Sequence, residues 1–147
     1  MTRLLFVCLG NICRSPAADG LARAMIAARG LDWQVDSAGT GAWHVGHPPD
    51  NRMISAAANR GVDLTQLRAR QAEADDFFRF DYVFAMDRNN LADLELIQPA
   101  NAPARLSLFL ETGDVPDPYY GGDDGFDHVL DLISDRLETV FQTLSQQ

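Results

Sequence analysis

Cys8 and Arg14 stand six positions apart, with Gly10-Asn11 between them and Ser15-Pro16 directly after. A thiolate is a strong nucleophile. A guanidinium presents a planar fork of donors that matches two phosphate oxygens. A curled loop that brings the two together would set a sulfur at the floor of an anion cradle. The reaction suited to that arrangement is phosphoryl transfer to Cys8, with the cradle stabilising the equatorial oxygens in the transition state. A cysteine-to-arginine spacing alone is weak evidence, and a buried packing cysteine is the plain alternative. The joint pattern of apolar strand, Cys, Gly-Asn, Arg, Ser-Pro and amphipathic helix is far more demanding.

The flanking residues supply the elements that such a loop needs. Leu4 to Val7 is an unbroken apolar run, as in a strand covered on both faces of a parallel sheet. Gly10 and Asn11 are the residue types that most readily take positive φ, which lets the chain curl there. Ser15 is a good N-cap and Pro16 a good first helical residue. Ala17 to Arg29 then carries apolar residues at Ala18, Leu21, Ala22, Met25 and Ile26, and Gly30 can end that helix. A nest of backbone N–H groups with a helix N-terminus behind it binds anions, and together with Arg14 it favours the thiolate form of Cys8.

Val7-Cys8-Leu9-Gly10-Asn11-Ile12-Cys13-Arg14-Ser15-Pro16 resembles the signature of the low-molecular-weight protein tyrosine phosphatases, and the likeness recurs in Asp117-Pro118-Tyr119-Tyr120. The resemblance runs along nearly the whole chain. It implies a nucleophile at Cys8, a phosphate-binding arginine at Arg14 and a general acid at Asp117. It also implies a cradle formed by Leu9, Gly10, Asn11, Ile12, Cys13, Arg14 and Ser15. No metal and no cofactor are expected, because the cradle supplies the positive charge. Substrates would be phosphotyrosine proteins or small aryl phosphates.

A chain of 147 residues with a formal net charge of −9 is expected to form a single domain spanning 1–147. The charge disfavours nucleic acid and anionic membranes as partners. No apolar run approaches a transmembrane length, and the N-terminal stretch is too short and too soon followed by Asn11 and Arg14 to be a signal peptide. A cytoplasmic monomer is the expectation. Both cysteines lie in one loop, so no disulfide framework is foreseen.

Further along, Asp32 to Ala38 alternates and reads as a second strand. Gly39 to Pro49 is a loop punctuated by glycine and proline. Trp43 in that loop either packs on the body or forms an aromatic wall beside the site; the resemblance favours the wall. His44 and His47 read as solvated loop residues. Pro49 to Arg60 reads as a helix with Asp50 in its first turn and Gly61 as its stop. Arg68 and Arg70 lie in a connector, where arginines are usually solvated or paired with surface carboxylates, a role near the phosphate being the alternative. Ala74 to Phe78 suits a short helix, Asp81 to Met86 a third strand and Ala104 to Phe109 a fourth. Asp87 sits at a strand end, where it either caps the helix Asn89 to Ile97 or joins the site, with capping favoured. Phe126 to Leu144 reads as a long closing helix. This alternation implies an α/β fold, a parallel sheet with helices on both faces. The resemblance sharpens it to a three-layer α/β/α sandwich around four parallel strands.

Glu111 to Gly125 is a long loop rich in glycine and aspartate, and long loops inside compact domains are usually functional. Expelling a phenolate needs a proton donor, and the second step needs a base for water; one carboxyl group can serve both. By residue type alone Asp117 ranks only modestly above Asp114, Asp123 and Asp124. Pro116 and Pro118 would stiffen it, and the resemblance selects it. Tyr119 and Tyr120 then resemble the aromatic rim, and with Leu9, Ile12 and Trp43 they would wall a deep apolar pocket. Asn11, Ser15 and Ser37 are expected to support the loop from behind. Cys13 either traps oxidised Cys8 as a reversible disulfide or is a small residue that fills the loop. The connector reads Gln66-Leu67-Arg68 where many members carry a histidine that helps to hold the loop.

Three rival functions share these features. Arsenate reduction on the same fold relays electrons through further cysteines, and only Cys8 and Cys13 are present. Protein arginine phosphatases tend to carry threonine where this chain has the apolar Ile12. A phosphotyrosine-binding module without catalysis would not need Cys8, Arg14 and Asp117 together.

Overall fold

The computed structural model describes residues 1–122 and 124–146. Five residues in a row, Leu4 to Cys8, have buried side chains in the first strand, β1 (Arg3–Cys8), because both of its faces are covered. Leu4, Phe6 and Cys8 point into one apolar cluster, and Leu5 and Val7 into another. The chain continues through α1 (Arg14–Arg29), β2 (Gln34–Gly39), α2 (Asn51–Ala58), α3 (Asp76–Arg79), β3 (Tyr82–Ala85), α4 (Arg88–Ile97), β4 (Arg105–Leu108) and α5 (Asp124–Ser145). The strands form one four-stranded sheet in the order β2-β1-β3-β4, with every pairing parallel. Residues of α1, α2 and α5 pack on the Leu4/Phe6 face, and Phe77 of α3 and Leu94 of α4 on the Leu5/Val7 face. The three-layer α/β/α sandwich expected from the sequence is the fold.

The closing helix earns its length through one apolar stripe. Phe126, Val129, Leu130, Ile133, Leu137, Val140 and Phe141 are all buried, at helical spacing. On the sheet, Phe6 packs against Phe84, stacked at 5.8 Å, and Phe109, edge-on at 5.7 Å, and those two rings meet each other at 5.9 Å. Such pairs add about 0.5–1.5 kcal/mol each beyond their buried area. No helix among the described residues is long and apolar enough to cross a membrane.

The element boundaries shift where capping competes with other partners. Helix α1 begins at Arg14, two residues before the Pro16 expected to open it, so Ser15 is inside it and Pro16 is not its first residue. Its N-cap is Cys13, which makes no side-chain cap, while the Ser15 hydroxyl turns back to the loop. Gly30 closes α1 in the left-handed region, as expected. Helix α2 is shorter than expected because Asp50 is its N-cap, accepting from the Arg52 N–H at 2.8 Å. The short helix expected over 74–78 is shifted to Asp76–Arg79.

Candidate active site

The site lies at the C-terminal end of β1, where the crevice of an open α/β sheet is expected. The loop of residues 9–13 links β1 to α1, and its turn is made by Asn11 at φ 59°, among the described residues the sole non-glycine in that region. Gly10 does not share that conformation. Its value is room: a Cβ there would meet the His44 ring at 3.0 Å. Asn11 is almost fully buried and bonded on both sides of its amide. Its Nδ2 donates to Ser15 Oγ at 2.8 Å, and its Oδ1 accepts from the Arg70 backbone N–H at 3.0 Å. Those bonds offset the cost of the left-handed backbone.

Cys8 Sγ takes two partners from this loop. The Asn11 N–H donates to it at 3.3 Å, and Ser15 Oγ lies 3.0 Å away. Ser15 is also 3.3 Å from the Ala38 carbonyl, so its single proton chooses between the strand and the sulfur. A negative sulfur would draw that proton to itself.

Arg14 is buried and anchored along one edge. Its Nη1 donates to Asp87 Oδ2 at 2.6 Å and to the Val115 carbonyl at 3.0 Å, while Nη2 stands 3.6 Å from Asp117 Oδ2. Burial disfavours its charge, but Cys8, Asp87 and Asp117 together outweigh that cost and raise its pKa further. Asp87 performs both of the roles that the sequence offered. Its Oδ1 caps α4 by accepting from the Asn90 N–H at 2.7 Å, and its Oδ2 holds Arg14.

Asp117 reaches the site from the far loop. Its Oδ1 accepts from the Tyr119 N–H at 3.0 Å, and its side chain is about one third exposed. Of its rivals in that loop, Asp114 pairs outward with Arg88, Asp124 begins α5, and Asp123 lies outside the described residues.

A cavity of about 300 Å³ joins these groups. Cys8, Leu9, Gly10, Ile12, Cys13 and Arg14 line it from the loop, Trp43 and His44 from one side, and Asp117, Tyr119 and Tyr120 from the other. Asn11 and Ser15 are not among its walls; they brace the loop from behind. Trp43 is 70% exposed and does stand beside the pocket, folded back over Gly41, where any Cβ would overlap its ring. Tyr120 is exposed and meets Tyr119 edge-on at 5.0 Å.

Several placements differ from the sequence reading. His44 is half-buried and lines the cavity instead of standing free in solvent. Ser37 does not touch the loop, because its hydroxyl donates to the buried Asp19 of α1 at 2.9 Å. Arg70 is not a surface arginine: its guanidinium forks onto buried Asp76 at 3.1 Å by both Nη atoms, and its Nε reaches Asp36 at 3.1 Å. That clamp fixes the backbone N–H that holds Asn11, so the support expected of a connector histidine comes from the Arg70 main chain. Gly39 was missed altogether. A Cβ there would lie 2.8 Å from the Leu9 carbonyl oxygen, so only glycine lets the loop settle on the end of β2. Cys13 is buried, and desolvation, with Asp50, Cys8 and Asp117 nearby, pushes its thiol pKa far upward.

The sequence profile described as "Low molecular weight phosphotyrosine protein phosphatase" matches residues 3–147. A low molecular weight phosphotyrosine protein phosphatase of Schizosaccharomyces pombe is 44% identical over 84% of this chain and 85% of its own. The crystal structure of a protein tyrosine phosphatase from Entamoeba histolytica superposes with a TM-score of 0.93 at 38% identity, covering 99% of this chain and 98% of that one. A drosophila arginine phosphatase superposes with a TM-score of 0.91 at 34% identity, covering 98% of both chains. The chain belongs to the low molecular weight phosphotyrosine protein phosphatase family.

Proposed function

We propose that this protein hydrolyses protein phosphotyrosine through a cysteinyl-phosphate intermediate. The observation that carries the reading is that Cys8, Arg14 and Asp117 line one cavity, with the sulfur bonded by Asn11 N–H and beside Ser15 Oγ at its floor. Arg14 and the loop hold the phosphate. The Cys8 thiolate attacks phosphorus in line, forming an S–P bond as the P–O bond to the tyrosine ring breaks. Asp117, protonated, delivers its proton to the departing phenolate oxygen. Asp117, now a carboxylate, takes a proton from water, and the water oxygen displaces the sulfur. Inorganic phosphate forms and Cys8 leaves as a thiolate, received by the Ser15 hydroxyl.

The walls support an aryl substrate. Leu9, Ile12, Trp43 and Tyr119 offer apolar and aromatic surface to a ring, and the burial of Cys8 favours a long aryl phosphate over a short phosphoserine. The likeness to the drosophila arginine phosphatase favours a second reading, phosphoarginine hydrolysis by the same Cys8 chemistry. Ile12 on the cavity wall, with no side-chain hydroxyl, weighs against it.

Phosphate release from matched phosphotyrosine, phosphoarginine and phosphoserine peptides, with Cys8→Ser as the control, tests the proposal. Preferential phosphotyrosine turnover that vanishes in the control is expected. Preferential phosphoarginine turnover would replace the first reading with the second. Binding of phosphotyrosine without turnover would make the protein a recognition module.

A further inference from the structure

The loop that carries Asp117 is tied to the body by Asp114 on Arg88 and by Glu111 on Arg136 before it reaches the site. Arg14 touches it at the Val115 carbonyl and at Asp117, and the Val115 N–H donates to the Met86 carbonyl at 2.8 Å. Beyond Asp117, the arm of Pro118 to Tyr120 meets one further cation among the described residues, Arg52 in the first turn of α2.

Arg52 is itself fixed. Its Nε and Nη2 fork onto the two oxygens of Asp50 at 3.1 and 3.0 Å. Its guanidinium lies between two rings, 5.4 Å from the centre of Tyr119 and 4.7 Å from that of Phe126 at the start of α5. Its Nη2 also donates to the Tyr119 carbonyl at 3.1 Å. Tyr119 in turn gives its N–H to Asp117 Oδ1. At the other end, the Asp50 N–H donates to the Ile12 carbonyl at 2.8 Å, inside the phosphate loop. A continuous path therefore runs from the phosphate loop at Ile12, through Asp50, Arg52 and Tyr119, to the carboxyl of Asp117.

We infer that Arg52 is a positioning residue for proton transfer: it ties the acid-bearing arm to the phosphate loop and so sets where the Asp117 carboxyl meets the departing oxygen. The inference rests on Asp117 being the acid. Arg52 is not among the residues that line the cavity. Its removal should therefore weaken protonation of the leaving group and leave phosphate capture intact.

Leaving-group chemistry separates these effects, because kcat/KM reports only steps up to P–O cleavage. A nitrophenolate leaves with little help, whereas a phenolate needs its proton. Arg52→Ala is expected to lose about tenfold more kcat/KM on phenyl phosphate than on p-nitrophenyl phosphate. Competitive inhibition by inorganic phosphate should stay within about twofold of wild type. Arg52→Lys, which keeps the charge and a donor for the Tyr119 carbonyl, should recover part of the loss. In an Asp117→Ala background, Arg52→Ala should add nothing further, since the acid that it places is gone.

Equal losses on the two substrates, or full losses that add in the Asp117→Ala background, would overturn the inference. Should Arg52→Ala not fold, as judged by far-ultraviolet circular dichroism, Arg52→Lys carries the same two-substrate comparison with a smaller expected difference, and no difference would overturn it. Failure of the phosphatase reading looks different: wild type would release no phosphate from either substrate, or Cys8→Ser would release it as fast as wild type.

Discussion

The loop between Cys8 and Arg14 is braced by buried side chains, although Leu9 is 42% exposed, whereas the loop that carries Asp117 runs over the surface. In the first, Asn11, Arg14 and Ser15 are at most 3% exposed, and their side chains are bonded to β2, α4 and the connector. In the second, Asp117 is about one third exposed, and Tyr120 is 90% exposed. The two sides have different work. The cradle must present fixed dipoles where charge develops, and preorganisation of that kind demands burial and satisfied bonds. On the proposed mechanism the acid must reach a bulky substrate at the cavity mouth and then serve water in a second step, and the partly exposed Asp117 is placed to do both.

Substitutions on the two sides should therefore fail in different ways. Cys8→Ser removes the nucleophile and should lower kcat by about 10⁴-fold or more while phosphotyrosine still binds, as measured by turnover and calorimetry. Asp117→Ala should cost about 10²–10⁴-fold in kcat/KM on phenyl phosphate, and clearly less on p-nitrophenyl phosphate. A uniform loss on both would mean that Asp117 is not the acid. Behind the cradle, Asn11→Gly keeps the left-handed turn and removes both amide bonds, so it isolates the bracing. It should lower kcat about tenfold and destabilise the fold by about 1–3 kcal/mol in urea denaturation. A loss in KM alone would show that Asn11 does not act through the sulfur. Gly39→Ala should displace the loop through the Leu9 carbonyl and lower activity on both substrates equally.

The smallest expected effect lies where the two sides meet. Hydrogen bonds from Arg52, set against partial burial, hold the Asp50 pKa below its ordinary value. A carboxylate lowered in the folded state stabilises that state above the unfolded pKa of about 4, and the gain is lost as pH falls through the lower folded value. The small difference in stability between wild type and Arg52→Ala at neutral pH should shrink as the solution is acidified from pH 5 toward pH 2. A difference that grew on acidification would mean that the Asp50–Arg52 pair does not stabilise the fold.

The sheet and its helices were legible because their signals are local. The unbroken apolar run at Leu4 to Val7 and the stripe from Phe126 to Leu144 state their burial outright. Cys8 and Arg14 were legible for the same reason, since one short loop holds both. Asp117 was not separable from its neighbouring aspartates by residue type; it took the resemblance of Asp117-Pro118-Tyr119-Tyr120 to single it out, and the geometry places it at the cavity. What stayed hidden depends on contacts between distant segments. Gly39 matters only because Leu9 passes over it. Arg70 matters through a backbone N–H, which no side-chain pattern reveals, and Ser37 points to Asp19 in a helix that sequence spacing does not bring near. Ser15 looked like an N-cap because serine commonly is one; the helix begins one residue earlier, and its hydroxyl lies 3.0 Å from the Cys8 sulfur and 3.3 Å from the Ala38 carbonyl.

The central claim is covalent transfer to Cys8, and its most direct test is a rapid acid quench of the wild-type protein during turnover of a phosphotyrosine peptide, followed by mass spectrometry of the digested chain. The account predicts a phosphoryl group on the peptide containing Cys8, absent from Cys8→Ser. Turnover with no phosphoenzyme at any quench time, or a phosphoryl group on a different residue, would contradict it.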